Sequence, residues 1–111
     1  MGDLIKNNTI YLNNLDGHLL ITERVYSQFA GKVRDMMMDL YFAGMDVPIS
    51  LIGSQSQVQS FMQSMSREKR YMDSFMKHGL NDSRTLDSRH DLMQAVKGFE
   101  METGLRWPFT N

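Results

Sequence analysis

Residues 51–62, LIGSQSQVQSFM, contain the junction on which the expected fold depends. An apolar run ends at Gly53, and the next segment opens with serines and glutamines before its first large apolar side chains. Ser54 or Ser56 is suited to cap a helix, because a serine hydroxyl accepts hydrogen bonds from unpaired N–H groups of the first helical turn. The pattern predicts a strand that ends near Gly53 and a helix that begins directly after it.

On the C-terminal side of the junction, apolar residues recur at helical spacing. They are Val58, Phe61, Met62, Met65, Met72 and Met76. Lys69 projects onto the same face, and Ser66 is suited to cap a new helix. One long helix over 55–78 and two helices broken near Ser66 both fit this pattern, and we favour one helix with a bend.

On the N-terminal side, residues 23–43 carry apolar side chains at three- and four-residue steps, which predicts a helix. Thr22 is its expected N-cap and Gly44 the residue past its end. The following segment, 47–53, reads as a strand covered on both faces, because its apolar residues do not alternate. A strand, helix, strand order favours a crossover that makes this strand parallel to an earlier one.

The start of the chain predicts a β-hairpin. Residues 9–12, TIYL, and 18–22, HLLIT, are rich in strand-forming residues, and Asp16-Gly17 between them is a strong turn signal.

The end of the chain predicts one more helix and a packed tail. Residues 81–88 are polar and without periodicity, so they read as a connection. Asp87 or Ser88 is the expected cap of the helix that follows, and Gly104 its terminator. Trp107 and Phe109 then stand around a proline, and two such large aromatic residues suggest that the tail packs back on the body.

The resulting order, β-β-α-β-α-α, predicts one small α+β domain over 1–111, with about three strands and helices mainly on one face. A chain of 111 residues that is 41% hydrophobic and 23% charged has the composition of a globular domain. The absence of cysteine excludes disulfides and thiolate metal sites, and no apolar run is long enough to span a membrane. We therefore expect a cytoplasmic protein without membrane contact.

Chemical motifs are weak. The Gly53 junction lacks the further glycines and the lysine of a phosphate loop. His90 beside Asp91 could act as a general base, but no nucleophile is indicated. No histidine has a metal-ligand partner at helical spacing. We predict no enzyme, no cofactor and no metal, and keep a small-ligand or catalytic site near Gly53 and His90 as the last alternative.

A basic segment, 67–77, gives the first alternative. The candidates for nucleic-acid binding are Arg67, Lys69, Arg70, Tyr71 and Lys77, with Arg106 as an extension. Glu68 and Asp73 lie among these charges, and the formal net charge of the chain is -1. A solvated helix face with intrahelical ion pairs is the commoner explanation of such a pattern.

The leading hypothesis rests on missing charge. From Ser54 to Ser66 there are thirteen residues and no charged side chain, and the chain has 11 methionines. Interface centres are depleted in charge and enriched in methionine and aromatic residues. We expect an interaction or regulatory module, of a kind found in bacteria or mobile elements, that self-associates, for example as a homodimer, and binds a protein partner. The candidate contact residues are Met38, Phe42, Gln55, Gln59, Met62 and Gln63.

Overall fold

A computed structural model describes residues 4–15, 21–40 and 50–109. Within these ranges the chain forms a small α+β fold with a three-stranded mixed sheet and three α-helices. The elements are β1 (Ile5–Lys6), β2 (Thr9–Tyr11), α1 (Glu23–Met38), β3 (Ser50–Ile52), α2 (Gln55–His78) and α3 (Ser83–Thr103). The α+β class expected from the sequence is confirmed.

The sheet has β2 at its centre. β1 pairs antiparallel with β2, with Lys6 opposite Thr9, so Asn7 and Asn8 form a two-residue turn. Asn7 has a φ of 55°, a conformation that asparagine tolerates better than most residues. β3 pairs parallel with the other side of β2, with Ile10 opposite Leu51, as the crossover argument predicts.

The predicted partner of β2 is wrong. Both sides of β2 are occupied, by β1 and by β3, so β2 has no free edge for a further strand. Ile21 and Thr22 are outside any strand, and residues 16–20, which include the Asp16-Gly17 turn signal, lie outside the described residues. The prediction that β3 is covered on both faces is also wrong, since Ser50 is exposed and Ile52 is 42% exposed.

The helix caps follow from short polar side chains. Thr22 caps α1 by accepting a hydrogen bond from the backbone N–H of Val25 at 3.2 Å. α1 is α-helical to Met38 and continues as a π-helical turn over Asp39 and Leu40, so the expected end at residue 43, like Gly44, lies outside the described residues. The single helix predicted over 55–78 is confirmed as α2.

The start of α3 differs from the prediction. Asp82 is the N-cap, so most of the expected polar connection, 81–88, is the first part of the helix. The Asp82 carboxylate accepts from the backbone N–H of Arg84 at 2.9 Å and from its guanidinium at 3.0 and 3.1 Å. These bonds lower the pKa of Asp82 to about 2. Gly104 ends the helix in a left-handed conformation, with φ 77°, as predicted.

The core is a cluster of aromatic rings in which three helices and the tail meet. Phe29 of α1, Phe61 of α2 and Phe99 of α3 have ring centroids 5.8 to 6.2 Å apart. Trp107 of the tail contacts Phe61 and Phe99 edge-on at 5.9 and 5.4 Å. All four side chains are fully buried, so the expectation that the tail packs back on the body is confirmed.

Two glycine substitutions test how closely the chain is packed around Gly53 and Gly98, and we expect them to change the stability in opposite directions. A Cβ at Gly53 would lie 2.7 Å from Oε1 of Gln57 and 3.0 Å from Cβ of Leu12, so Gly53→Ala should lower the free energy of unfolding by about 1–3 kcal/mol. A Cβ at Gly98, inside α3, meets no atom within 4 Å among the described residues, so Gly98→Ala should raise it by about 0.5–1 kcal/mol. Urea unfolding of both variants measures the difference. A Gly53→Ala variant as stable as the wild type would contradict the packing at the junction.

Candidate functional site

An apolar groove lies where the C-terminal ends of α1 and α2 meet the tail. It encloses about 440 Å³. Its lining residues are Arg34, Met37, Met38, Met72, Phe75, Met76 and Phe109. Arg34 is the one polar side chain among them. We call this surface the methionine groove.

The spacing of the lining residues explains the groove. Residues 34, 37 and 38 of α1, and 72, 75 and 76 of α2, are three and four apart, so each helix presents them on one side. Met37 is buried at 3% exposure and forms part of a fixed floor, whereas Met38 and Met76 are 57% and 68% exposed. The groove therefore combines a buried apolar floor with a rim of exposed methionines.

The structure divides the predicted contact residues between two places. Met38 lies in the methionine groove. Gln55, Gln59, Met62 and Gln63 are exposed together on the first turns of α2. Met62 and Met76 are fourteen residues apart, or about 21 Å along a helix, with Lys69 between them. Phe42 lies outside the described residues.

The Gly53 junction has a structural explanation. The Ser54 hydroxyl accepts from the backbone N–H of Gln57 at 3.1 Å, and Gln57 Oε1 accepts from the backbone N–H of Ser54 at 2.9 Å. This capping box occupies two of the N–H groups that an anion would use at a helix N-terminus. Gln57 is 2% exposed, and Gly53 packs against Leu12.

Two of the basic side chains in segment 67–77 are paired with carboxylates. Arg67 pairs with Asp91 of α3 at 3.5 Å, and Lys69 pairs with Asp73 at 3.5 Å, as expected for an intrahelical ion pair. Tyr71 packs against the core, while Arg70 and Lys77 remain exposed. Nucleic-acid binding by this segment stays a prediction.

Glu68 corrects the expectation of a solvated face. Its side chain is 3% exposed and accepts a hydrogen bond from the indole N–H of Trp107 at 2.9 Å. Burial raises the pKa of the Glu68 carboxyl above its ordinary value of 4.5, and the bond from Trp107 opposes part of that rise. The signal was present in the sequence, because residue 68 follows Phe61 and Met65 at buried-face spacing.

His90 lines a second, larger groove of about 880 Å³ between α1, α3 and the tail. Gly53 is not among its lining residues, so the structure does not unite the two residues of the last alternative. Nε2 of His90 lies 3.1 Å from the side-chain nitrogen of Gln94, and Asp91 pairs with Arg67. The carboxylate that sequence placed beside His90 is therefore engaged elsewhere.

Within residues 4–15, 21–40 and 50–109, no three His, Asp or Glu side chains lie close enough together to hold a metal ion. In the same ranges, none of the helices combines the length and the apolarity needed to cross a membrane.

Comparisons with protein-family models, with curated proteins and with solved structures give no match to the chain. The function is therefore inferred from the geometry of the chain itself.

Glu68 yields a pH-dependent prediction. A carboxyl whose pKa is higher in the folded state binds its proton more tightly there, so wild-type stability gains from this group as the pH falls toward 4.5. Glu68→Gln keeps an acceptor for the indole N–H without a charge, so it should be more stable than the wild type at neutral pH. That advantage should shrink as the pH falls. Glu68→Ala leaves the indole N–H without its acceptor and should cost about 1–3 kcal/mol.

Urea unfolding between pH 4 and pH 8 measures this prediction. Glu102→Gln is the matched control, because Glu102 is exposed on α3. A stability difference between Glu68→Gln and the wild type that does not change with pH would contradict the assignment.

Proposed function

We propose that this chain is a non-enzymatic, cytoplasmic interaction or regulatory module that binds a protein partner through the methionine groove. The observation that carries the proposal is the exposed apolar rim of Met38, Phe75 and Met76 around a buried floor. Self-association through the same surface belongs to the proposal.

The shape of the groove favours a helical segment as its occupant. Two helices, α1 and α2, flank the groove, and an amphipathic helix binds such a channel by inserting apolar side chains three and four residues apart. Methionine is flexible and polarisable, so a methionine rim adapts to the shape of the inserted side chains.

The chemistry of the lining argues against a small metabolite. Specific small-molecule sites combine an apolar wall with several convergent polar groups that fix the orientation of the ligand. The lining of the methionine groove exposes apolar atoms only, including the part of it that Arg34 contributes.

The uncharged face of α2 is a second contact region in this proposal. Gln55, Gln59 and Gln63 lie exposed beside Met62, which is 54% exposed. Amides bind a partner's backbone or side chains without the desolvation cost of a charge. A partner that reaches both regions would lie along α2.

Peptide selection tests the proposal. A random library of 16-residue peptides is displayed and selected on the wild-type chain, and binding of the selected peptides is measured by fluorescence anisotropy. Met76→Glu should weaken binding at least about tenfold, because it places a carboxylate against apolar side chains. Met101→Glu is the control, since Met101 is 79% exposed and does not line the groove.

The unfolding midpoint of each variant checks that the fold is kept. Selected peptides that bind Met76→Glu as well as the wild type, or a selection that yields no binder, would contradict the proposal. Light scattering over a range of concentrations tests self-association, which Met76→Glu should abolish and Met101→Glu should preserve. A wild-type chain that is monomeric at every concentration removes self-association from the proposal.

A further inference from the structure

The larger groove collects positive charge from three separate elements. Arg34 belongs to α1, Lys97 to α3 and Arg106 to the tail, and all three line the same concave surface. The full lining is Tyr26, Arg34, His90, Met93, Gln94, Val96, Lys97, Glu100, Arg106 and Pro108. We call this surface the cationic groove.

These cations are not neutralised within the described part of the chain. The three ion pairs found there are formed by Arg67, Lys69 and Arg84, and none lies in the cationic groove. The guanidinium carbon of Arg106 lies 5.0 Å from the ring centroid of Tyr26, so this cation is held over an aromatic face.

One carboxylate lines the groove and is already engaged. Oε2 of Glu100 accepts a hydrogen bond from the backbone N–H of Trp107 at 2.9 Å. With Arg34, Lys97 and Arg106 against Glu100, the lining carries an excess of positive charge while the chain as a whole has a net charge of -1. Charge complementarity therefore points to an anionic occupant.

The floor and the length of the groove narrow the class of occupant. Met93, Val96 and Pro108 give the groove an apolar part of its lining, which a bare phosphate would not use. Along α3 the lining runs from His90 to Glu100, about 15 Å at the rise of an α-helix. The occupant is therefore a segment about as long as the groove, and it carries both carboxylates and apolar side chains.

The two grooves adjoin along α1 and the tail. Arg34 lines both of them, and the neighbouring tail residues Pro108 and Phe109 line one each. One bound segment that crosses the tail would meet a cationic surface on one side and an apolar one on the other.

We propose that the partner segment is an acidic amphipathic peptide. Its carboxylates pair with Arg34, Lys97 and Arg106, and its apolar side chains lie on Met93 and Val96 and enter the methionine groove. This inference rests on the proposed function and assigns the chemistry of the partner. A nucleic acid fits less well, because the guanidinium of Arg106 already lies over the ring of Tyr26 on which a base would stack, and Glu100 would face its phosphates.

The experiment uses the peptides selected on the wild-type chain from a library with equal numbers of acidic and basic codons. The selected sequences should carry an excess of Asp and Glu over Lys and Arg. The double variant Lys97→Glu, Arg106→Glu should bind them at least about tenfold more weakly, because it reverses two charges that face the peptide. Lys97→Glu alone, which leaves the contact of Arg106 with Tyr26 in place, should show a smaller loss.

The matched control is Arg70→Glu, Lys77→Glu. It changes the net charge equally at two exposed positions of α2, and it should leave peptide binding within about twofold, since these residues line neither groove. Replacing the acidic residues of a bound peptide by lysine should restore its binding to Lys97→Glu, Arg106→Glu. Such a rescue assigns the effect to direct charge pairing.

Other outcomes overturn the inference. Peptides without an acidic excess, or equal losses in the double variant and its control, would show that the cationic groove does not recognise carboxylates. If peptides without an acidic excess bind the Met76→Glu variant more weakly than the wild type, the inference about acidic partners fails and the proposed function stands. If acidic peptides bind the Met76→Glu variant as tightly as the wild type, the proposal that the methionine groove binds the partner fails instead. A sixteen-nucleotide oligothymidine is tested in parallel. If it binds the wild type more tightly than the selected peptides do, and the double variant Lys97→Glu, Arg106→Glu loses that binding, the occupant is a nucleic acid and not a peptide.

Discussion

The buried hydrogen bond from the indole N–H of Trp107 to the carboxylate of Glu68 fixes the position of the tail. Both side chains are buried, and a buried donor that loses its acceptor costs about 1–3 kcal/mol. The indole ring also packs edge-on against Phe61 and Phe99, so the tail is held by a polar contact and by apolar area together. Glu100 adds a second bond, to the backbone N–H of Trp107.

Both candidate surfaces depend on this anchoring. Arg106 and Pro108, on either side of the anchored tryptophan, line the cationic groove, and Phe109 closes the methionine groove. If the tail left the body, α1 and α3 would lose the wall between them and α2 would expose more apolar surface. Both grooves are therefore built by the packing of a short terminal segment against the helices.

The sequence predicted the elements that follow from helical periodicity, from capping residues and from the order of strands and helices. Helical periodicity and short polar caps predicted α1 from Thr22 and the single helix α2, and the crossover rule predicted the parallel pairing of β3. It failed where tertiary contacts decide. The sequence alone did not show that β1 rather than a later segment pairs with β2. The spacing of Glu68 marks a buried position, but its donor, the indole N–H of Trp107, is thirty-nine residues away. The sequence identified Met38 as a candidate contact residue, and Met38 lines the methionine groove. It could not show that residues of α2 and the tail complete that groove, because only the tertiary structure brings them next to α1.

Hydrogen exchange at the indole N–H of Trp107 tests most directly whether the tail is an integral part of the fold. The chain has one tryptophan, so the indole N–H gives a single resonance that needs no further assignment. We expect it to exchange only through global unfolding, with a free energy of opening equal to that of the slowest core amides. Exchange through a local opening of much lower free energy would show that the tail detaches independently, and would contradict the account of both grooves.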